Sequence, residues 1–397
     1  MLNPRLDLLT DFPFDRLRTL LTGIDPPPGP TPLDLSLGGP LHEPPAMIAE
    51  TIAAHAAGWG RYPPMDGTPE FQDAAARWLC NRFDLPGDAF ETSCALLPVS
   101  GSREVLYMTA NVVVPETVGA EKPVVLLPNP FYHIYEAATR MAGAEPVFLP
   151  TTKETNFLPN FAGLDPTVLK RAALAYLCSP SNPQGAIAGL DYLVSLVELA
   201  REYDFVAAFD ECYSEIYDTE PPPGGLQACA RLGTGFEQVM VFNSLSKRSS
   251  APGLRSGLIA GDPALIKKMR LLRTYGGATV PLPVLAASAA LLRDERHVGE
   301  NRALYRKKFD IAEELIGNRF GFSRPEGGFF LWLDVGDGEA ATQKLWSEAG
   351  IKVLPGTYLA RPDRAGLNPG DRYIRAALVH DLETTRDALS RLVSALR

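Results

Sequence analysis

The 397-residue chain is short of several things, and each shortage excludes a class of function. No apolar run is long enough to cross a bilayer. The first fourteen residues carry Arg5, Asp7, Asp11 and prolines, without the apolar core of a secretion signal. Five cysteines (Cys80, Cys94, Cys178, Cys212, Cys229) are odd in number and form no CxxC pair. Reduced structural thiols in a cytoplasm are therefore expected, with no structural metal, and Cys212 is expected to be a packing residue. Positive charge is also scarce: 38 Lys and Arg against 47 Asp and Glu leave a net charge of -9. That balance argues against nucleic acid or an anionic membrane as partner. Internal repeats are missing, and only the proline clusters at 26–28 and 221–223 approach low complexity.

What is present is alternation. Apolar runs at 95–99, 124–127, 146–149, 174–178, 206–209, 239–242 and 256–260 read as strands. Helix-like stretches such as 103–113, 132–141 and 191–203 separate most of them. Strands apolar throughout and spaced by helices predict an α/β fold: a mostly parallel seven-stranded sheet covered on both faces. A helix is predicted over 69–83, opened by Pro69, and further helices over 45–57 and 263–274. A long polar helix over 295–316 then leads to a smaller α+β unit with strands at 328–334 and 372–378 and a helix at 382–396. Three parts are expected: a proline-rich arm (1–45), with a short helix at 15–21 and a strand at 35–37, joining the small unit; a large domain (46–294); and a small domain (295–397).

Ligands of open α/β sheets gather at the carboxyl ends of the strands. The first run ends in Ser100-Gly101-Ser102-Arg103-Glu104 and opens a helix, which suits an anion as well as a plain N-cap. The second ends in Pro128-Asn129-Pro130-Phe131-Tyr132, where an aromatic serves a planar ring or the core. The run 174–178 ends in Ser179-Pro180-Ser181-Asn182-Pro183-Gln184-Gly185, a turn that needs no function but sets an amide at the rim. The run 206–209 ends in Asp210-Glu211-Cys212-Tyr213, and a carboxylate closing a buried strand needs a cation or donor, structural or otherwise. The run 239–242 leads into Ser244-Leu245-Ser246-Lys247, then Pro252-Gly253-Leu254-Arg255-Ser256-Gly257. In isolation that stretch is also a serine loop with two solvated cations; a lysine there suits an imine with an aldehyde cofactor.

Together these strand ends, with Tyr62 and Gly67, resemble the class I/II pyridoxal-phosphate aminotransferases of fold type I, over nearly the whole chain. The resemblance implies pyridoxal 5'-phosphate as cofactor and a homodimer. It implies Lys247 as the lysine that bonds the cofactor aldehyde and moves the substrate proton, and Asp210 as partner of the pyridine nitrogen. Asn182 and Tyr213 are implied at the phenolic oxygen, Tyr132 on the ring face, and Gly101, Ser102, Ser244 and Arg255 at the phosphate. Tyr62 is implied at the phosphate of the neighbouring subunit. Gly38 and Arg375, the latter in Arg372-Tyr373-Ile374-Arg375, are implied at the substrate carboxylate.

Asn3-Pro4-Arg5-Leu6-Asp7, Pro13-Phe14-Asp15-Arg16-Leu17 and Ser246-Lys247-Arg248-Ser249 are similar to succinyldiaminopimelate aminotransferases of bacterial lysine synthesis. This implies N-succinyl-2-amino-6-oxopimelate with glutamate as donor. A substrate with several carboxylates calls for more cations, and Arg16, Arg61 and Arg248 are candidates, although each reads more readily as a surface or structural charge. An aspartate or broad-range aminotransferase is the near alternative; a β-lyase and a silent cofactor-binding sensor are the remoter ones. The intact Lys247 counts against the sensor.

Overall fold

The computed structural model describes residues 2–9, 12–90 and 95–397; Cys94 and Asp11 lie outside the described residues. Seven strands form one sheet: β1 Leu96–Val99, β2 Val124–Asn129, β3 Glu145–Pro150, β4 Ala172–Cys178, β5 Val206–Asp210, β6 Val239–Ser244 and β7 Gly257–Gly261. Their order is β1-β7-β6-β5-β4-β2-β3. All pairings are parallel except those of β7, which runs antiparallel to both β1 and β6. The carboxyl ends of β1, β2, β4, β5 and β6 therefore lie along one edge, as the strand-end argument requires.

The sheet is covered on both faces because both faces of its strands are apolar. Val124 and Leu126 of β2 join one core, while Val125 and Leu127 join the other. Ala207 and Phe209 of β5 divide from Val206 and Ala208 in the same way. Helix Pro69–Phe83 begins where proline at N1 and the Thr68 cap, accepting from Phe71 N at 3.3 Å, predict it. It ends at Asp84 in the left-handed region, φ 52°.

The stretch around 284–292, apolar but not assigned from sequence, is a helix, Leu282–Arg293, buried on most of its circumference. Helix Arg296–Ile316 leads from it to a second, antiparallel sheet with Tyr373–Ala377 between Leu354–Pro355 and Phe330–Asp334. Helix Gly338–Ala349, not assigned from sequence, packs there. The strand expected at 35–37 falls instead at Leu33–Asp34, parallel to Ile351–Lys352. Asp34 Oδ1 accepts from both Ser36 N (2.8 Å) and Ser36 Oγ (2.6 Å), and this turn stops the strand. No helix among the described residues is long and apolar enough to cross a membrane.

Candidate active site

A cavity of about 400 Å³ opens at the carboxyl edge of the large sheet, against the second sheet. That is room for a small ligand. Gly38, Ser102, Tyr132, Asn182, Asp210, Tyr213, Lys247, Arg255 and Arg375 all line it. Residues as far apart in the chain as Gly38 and Arg375 meet there because five strand ends, the arm and the second sheet converge.

Lys247 sits in a four-residue helix, Leu245–Arg248, that follows β6 directly. Its Nζ donates to Gly38 O at 3.2 Å. Burial pulls its pKa below the ordinary lysine range, and Arg103 and Arg255 add to the drop while Asp210 opposes it. Asp210 closes β5 and is 4% exposed. Its Oδ2 accepts from Tyr135 Oη at 2.6 Å and its Oδ1 from Cys212 N at 3.2 Å. Burial raises its pKa, so it calls for a cation beyond Lys247. Tyr135 is held in turn by stacking on Tyr176, 4.5 Å between centroids at 6°.

Arg375 lies in the middle strand of the second sheet, buried, over the Phe330 ring at 4.4 Å. It donates to Asn182 Oδ1 (3.0 Å) and Ser36 O (2.7 Å), while its Nε–H has no partner. Burial lowers its pKa to about 10. A buried guanidinium in the wall of a cavity, with hydrogens left over from its two fixed bonds, suits a carboxylate. Because Asn182 presents its oxygen to Arg375, its amide N–H groups are left to donate elsewhere.

At the opposite end, Gly101 has φ 82°, and a Cβ there would meet Arg255 Nη2 at 2.3 Å. Arg255 itself is left-handed, φ 53°, and its guanidinium donates to Pro252 O (2.9 Å) and Ser100 O (3.1 Å). Ser102 starts helix Ser102–Val113, whose free backbone N–H groups and positive end favour an anion. Gly101 and Ser244 do not line the cavity. Ser244 caps its own helix, its hydroxyl accepting from Ser246 N at 3.2 Å, and Ser246 lines the cavity instead. Tyr62 is fully exposed and away from the cavity of its own chain.

The remaining candidates fall as follows. Cys212 packs with Cys178, Tyr213 and Ile216, as expected, and also lines the cavity with its Sγ 2.9 Å from Ser102 Oγ. Arg248 is 3% exposed, tied to Leu291 O (2.7 Å) and Glu295 (2.6 Å), and does not reach the cavity. Arg16 packs over Tyr358 at 3.9 Å beside Glu339, and Arg61 is an exposed residue outside the cavity. The cation that sequence reasoning passed over is Arg103. It lines the cavity, donates from Nε to Tyr132 Oη at 2.9 Å, and makes no ion pair among the described residues. Its place one residue after Ser102 was the available signal. His133 also lines the cavity; burial, with the fields of Arg103, Arg375 and Arg361, lowers its pKa to about 4.

A buried acid, a lysine and an anion cradle lining one cavity fit pyridoxal 5'-phosphate. The described residues contain no cluster of His, Cys, Asp and Glu able to hold a metal ion.

Residues 30–392 match the family model described as aminotransferase class I and II. The chain is similar to the 4-dedimethylamino-4-oxo-anhydrotetracycline transaminase OxyQ of Streptomyces rimosus, 32% identical, covering 91% of this chain and 92% of that protein. It is similar to an LL-diaminopimelate aminotransferase of Syntrophobacter fumaroxidans, 30% identical, covering 98% and 97%. Among solved structures, an aminotransferase of Neisseria meningitidis superposes with a TM-score of 0.93 at 40% identity over the full length of both chains.

Proposed function

The chain belongs to the class I and II aminotransferases, whose cofactor is pyridoxal 5'-phosphate, and from that premise we propose that it moves an amino group from glutamate to N-succinyl-2-amino-6-oxopimelate. The observation that carries an acidic, extended substrate is that two guanidiniums besides Arg255 line the cavity. Arg375 is buried in its wall, and Arg103 stands without a carboxylate partner among the described residues. Arg375 grips the α-carboxylate, with Gly38 lining the same end. Arg103 takes the distal carboxylate, and His133, kept neutral, donates or accepts without adding charge.

Asp210 would pair with the ring nitrogen, Asn182 and Tyr213 would serve the phenolic oxygen, and Tyr132 would cover the ring. Ser102 and Arg255, backed by Gly101 and the Ser244 cap, would hold the phosphate. When bound, the cofactor supplies an electron-withdrawing ring. Lys247, whose pKa burial lowers, would act first as nucleophile and then as the base that takes the proton from the substrate Cα and holds it for return. The exposed Tyr62 reaches the phosphate of a second copy, so the working form is a homodimer, placed in the cytoplasm.

A second reading takes LL-diaminopimelate itself as the donor, favoured by the relatives carrying that name. The deciding experiment measures initial rates with succinylated diaminopimelate, free LL-diaminopimelate, aspartate and alanine against 2-oxoglutarate. A kcat/KM highest for the succinylated compound supports the first reading, and one highest for the free diamine supports the second. Preference for aspartate overturns both. Release of ammonia without any acceptor would indicate elimination. Loss of the visible cofactor band in Lys247→Ala is expected as well, and its retention would remove the lysine from the reaction.

A further inference from the structure

Behind Lys247, outside the cavity, lies a chain of polar side chains that the reaction does not use. Helix Leu245–Arg248 is too short to satisfy its own carbonyls, since a helix leaves its last four C=O groups without partners. Asn301, on helix Arg296–Ile316, supplies the missing donor. Its Nδ2 reaches Lys247 O at 3.1 Å and Arg248 O at 3.4 Å. That fixes the amide's orientation and turns Oδ1 the other way. Oδ1 accepts from Ser250 Oγ at 2.9 Å and lies 2.7 Å from His42 Nδ1. An amide oxygen only accepts, so His42 must carry its proton on Nδ1.

His42 Nε2 is then a lone pair, and Lys308 Nζ donates to it at 2.5 Å. Lys308 also donates to Leu378 O at 2.9 Å and stands over the Tyr305 ring at 4.8 Å. It is 0% exposed and makes no ion pair with a carboxylate among the described residues; Asp381 reaches it by field alone. A buried lysine without an ion-pair partner is costly, and burial lowers its pKa to about 7.

The donors all point one way, from Lys308 through His42 and Asn301 to the carbonyl of Lys247. The same His42 lies four residues beyond Gly38, whose carbonyl accepts from Lys247 Nζ. Both the backbone and the side-chain tip of Lys247 are thus tied to segments that the chain of donors joins: the arm, the long helix and the end of the second sheet.

We propose that Lys308, His42 and Asn301 are positioning residues that act through the backbone of Lys247, holding its amine in register with the Gly38 wall of the substrate site. The inference rests on Lys247 being the cofactor lysine. It predicts that breaking any link disturbs Lys247 in the same way.

The test uses the holoenzyme and three variants: Lys308→Met, Asn301→Leu and His42→Phe, the last keeping a ring against Tyr305 on a half-exposed loop. The pH midpoint of the visible band of the lysine-bound cofactor is titrated alongside kcat and KM. The expected result is a midpoint moved by about half a unit in the same direction in all three, kcat lowered about tenfold, and KM for the donor little changed. Lys308→Arg, which keeps a donor, restores most of the rate. The double variant Lys308→Met/Asn301→Leu is no slower than the slower single variant, because both cut one chain. Additive losses, or unmoved midpoints in folded variants whose only defect is a lower melting temperature, overturn the proposal. A wild-type protein with no lysine-bound band would instead overturn the assignment of Lys247 on which it rests.

Discussion

Arg375→Lys keeps a positive charge at the wall of the cavity and removes the planar fork. In the native chain one arm of the guanidinium is spent on Asn182 Oδ1 and the other on Ser36 O, leaving the second hydrogens of the two arms for a carboxylate. A lysine ammonium cannot reproduce two parallel bonds while also reaching both fixed acceptors. One charge-assisted hydrogen bond is worth about 1.5–3 kcal/mol, so kcat/KM should fall about tenfold to a hundredfold. Arg375→Ala should cost more. It also strands Asn182 Oδ1 and Ser36 O in a buried wall, lowering stability by about 1–3 kcal/mol. The assay compares glutamate, aspartate and alanine as donors with one acceptor, and adds an amine that lacks the α-carboxylate. The loss should be the same factor for all three amino acids and absent for the amine. A loss confined to one donor would mean that Arg375 reads the side chain. An equal loss with the amine would mean that it only supports the wall.

Glu211 is buried beside Asp210, and burial raises its pKa from 4.5 to about 7. The folded state then holds a proton that the unfolded chain releases. Its contribution to stability is present below the unfolded pKa and lost as pH rises to about 7, on the order of 3 kcal/mol over that window. Glu211→Gln should flatten that part of the apoprotein's stability–pH curve in urea unfolding, and an unchanged slope would refute the assignment. Gly101→Ala places a methyl against Arg255 at a positive φ, so cofactor affinity measured by equilibrium dialysis should drop about tenfold or more; unchanged affinity would detach Arg255 from the phosphate. If Tyr62 serves the neighbouring site, Tyr62→Phe mixed with inactive Lys247→Ala should regain activity above either parent, because the mixed dimer holds one site with both residues intact. No gain on mixing, with mixed dimers confirmed by native mass spectrometry, would confine Tyr62 to its own chain.

The amino-acid sequence by itself determined the large sheet. Its strands are apolar on both faces, so each shows as an unbroken run, and the observed ranges differ from the expected ones by a residue or two. The prolines Pro69 and Pro263 likewise stand at the helix starts where they are found, each behind a side-chain cap, Thr68 and Asp262. Strand ends carry their chemistry in local order, which is why Asp210, Asn182 and Lys247 could be chosen from sequence alone. Helix Gly338–Ala349 was missed although its Asp337 cap is of the same kind as the Asp381 cap of the C-terminal helix.

Only the tertiary structure decided which charges face the cavity. Arg103, Arg248 and Arg375 are the same residue type on similar backgrounds, yet one lines the cavity without an ion pair among the described residues, one is consumed by Leu291 O and Glu295, and one is held by Asn182 and Ser36. That distinction depends on acceptors 43 to 339 residues away in sequence, as does the link from Lys308 through His42 to Lys247. Hydrogen-bond satisfaction in a buried site is a property of what meets there, and no periodicity or spacing along the chain encodes it.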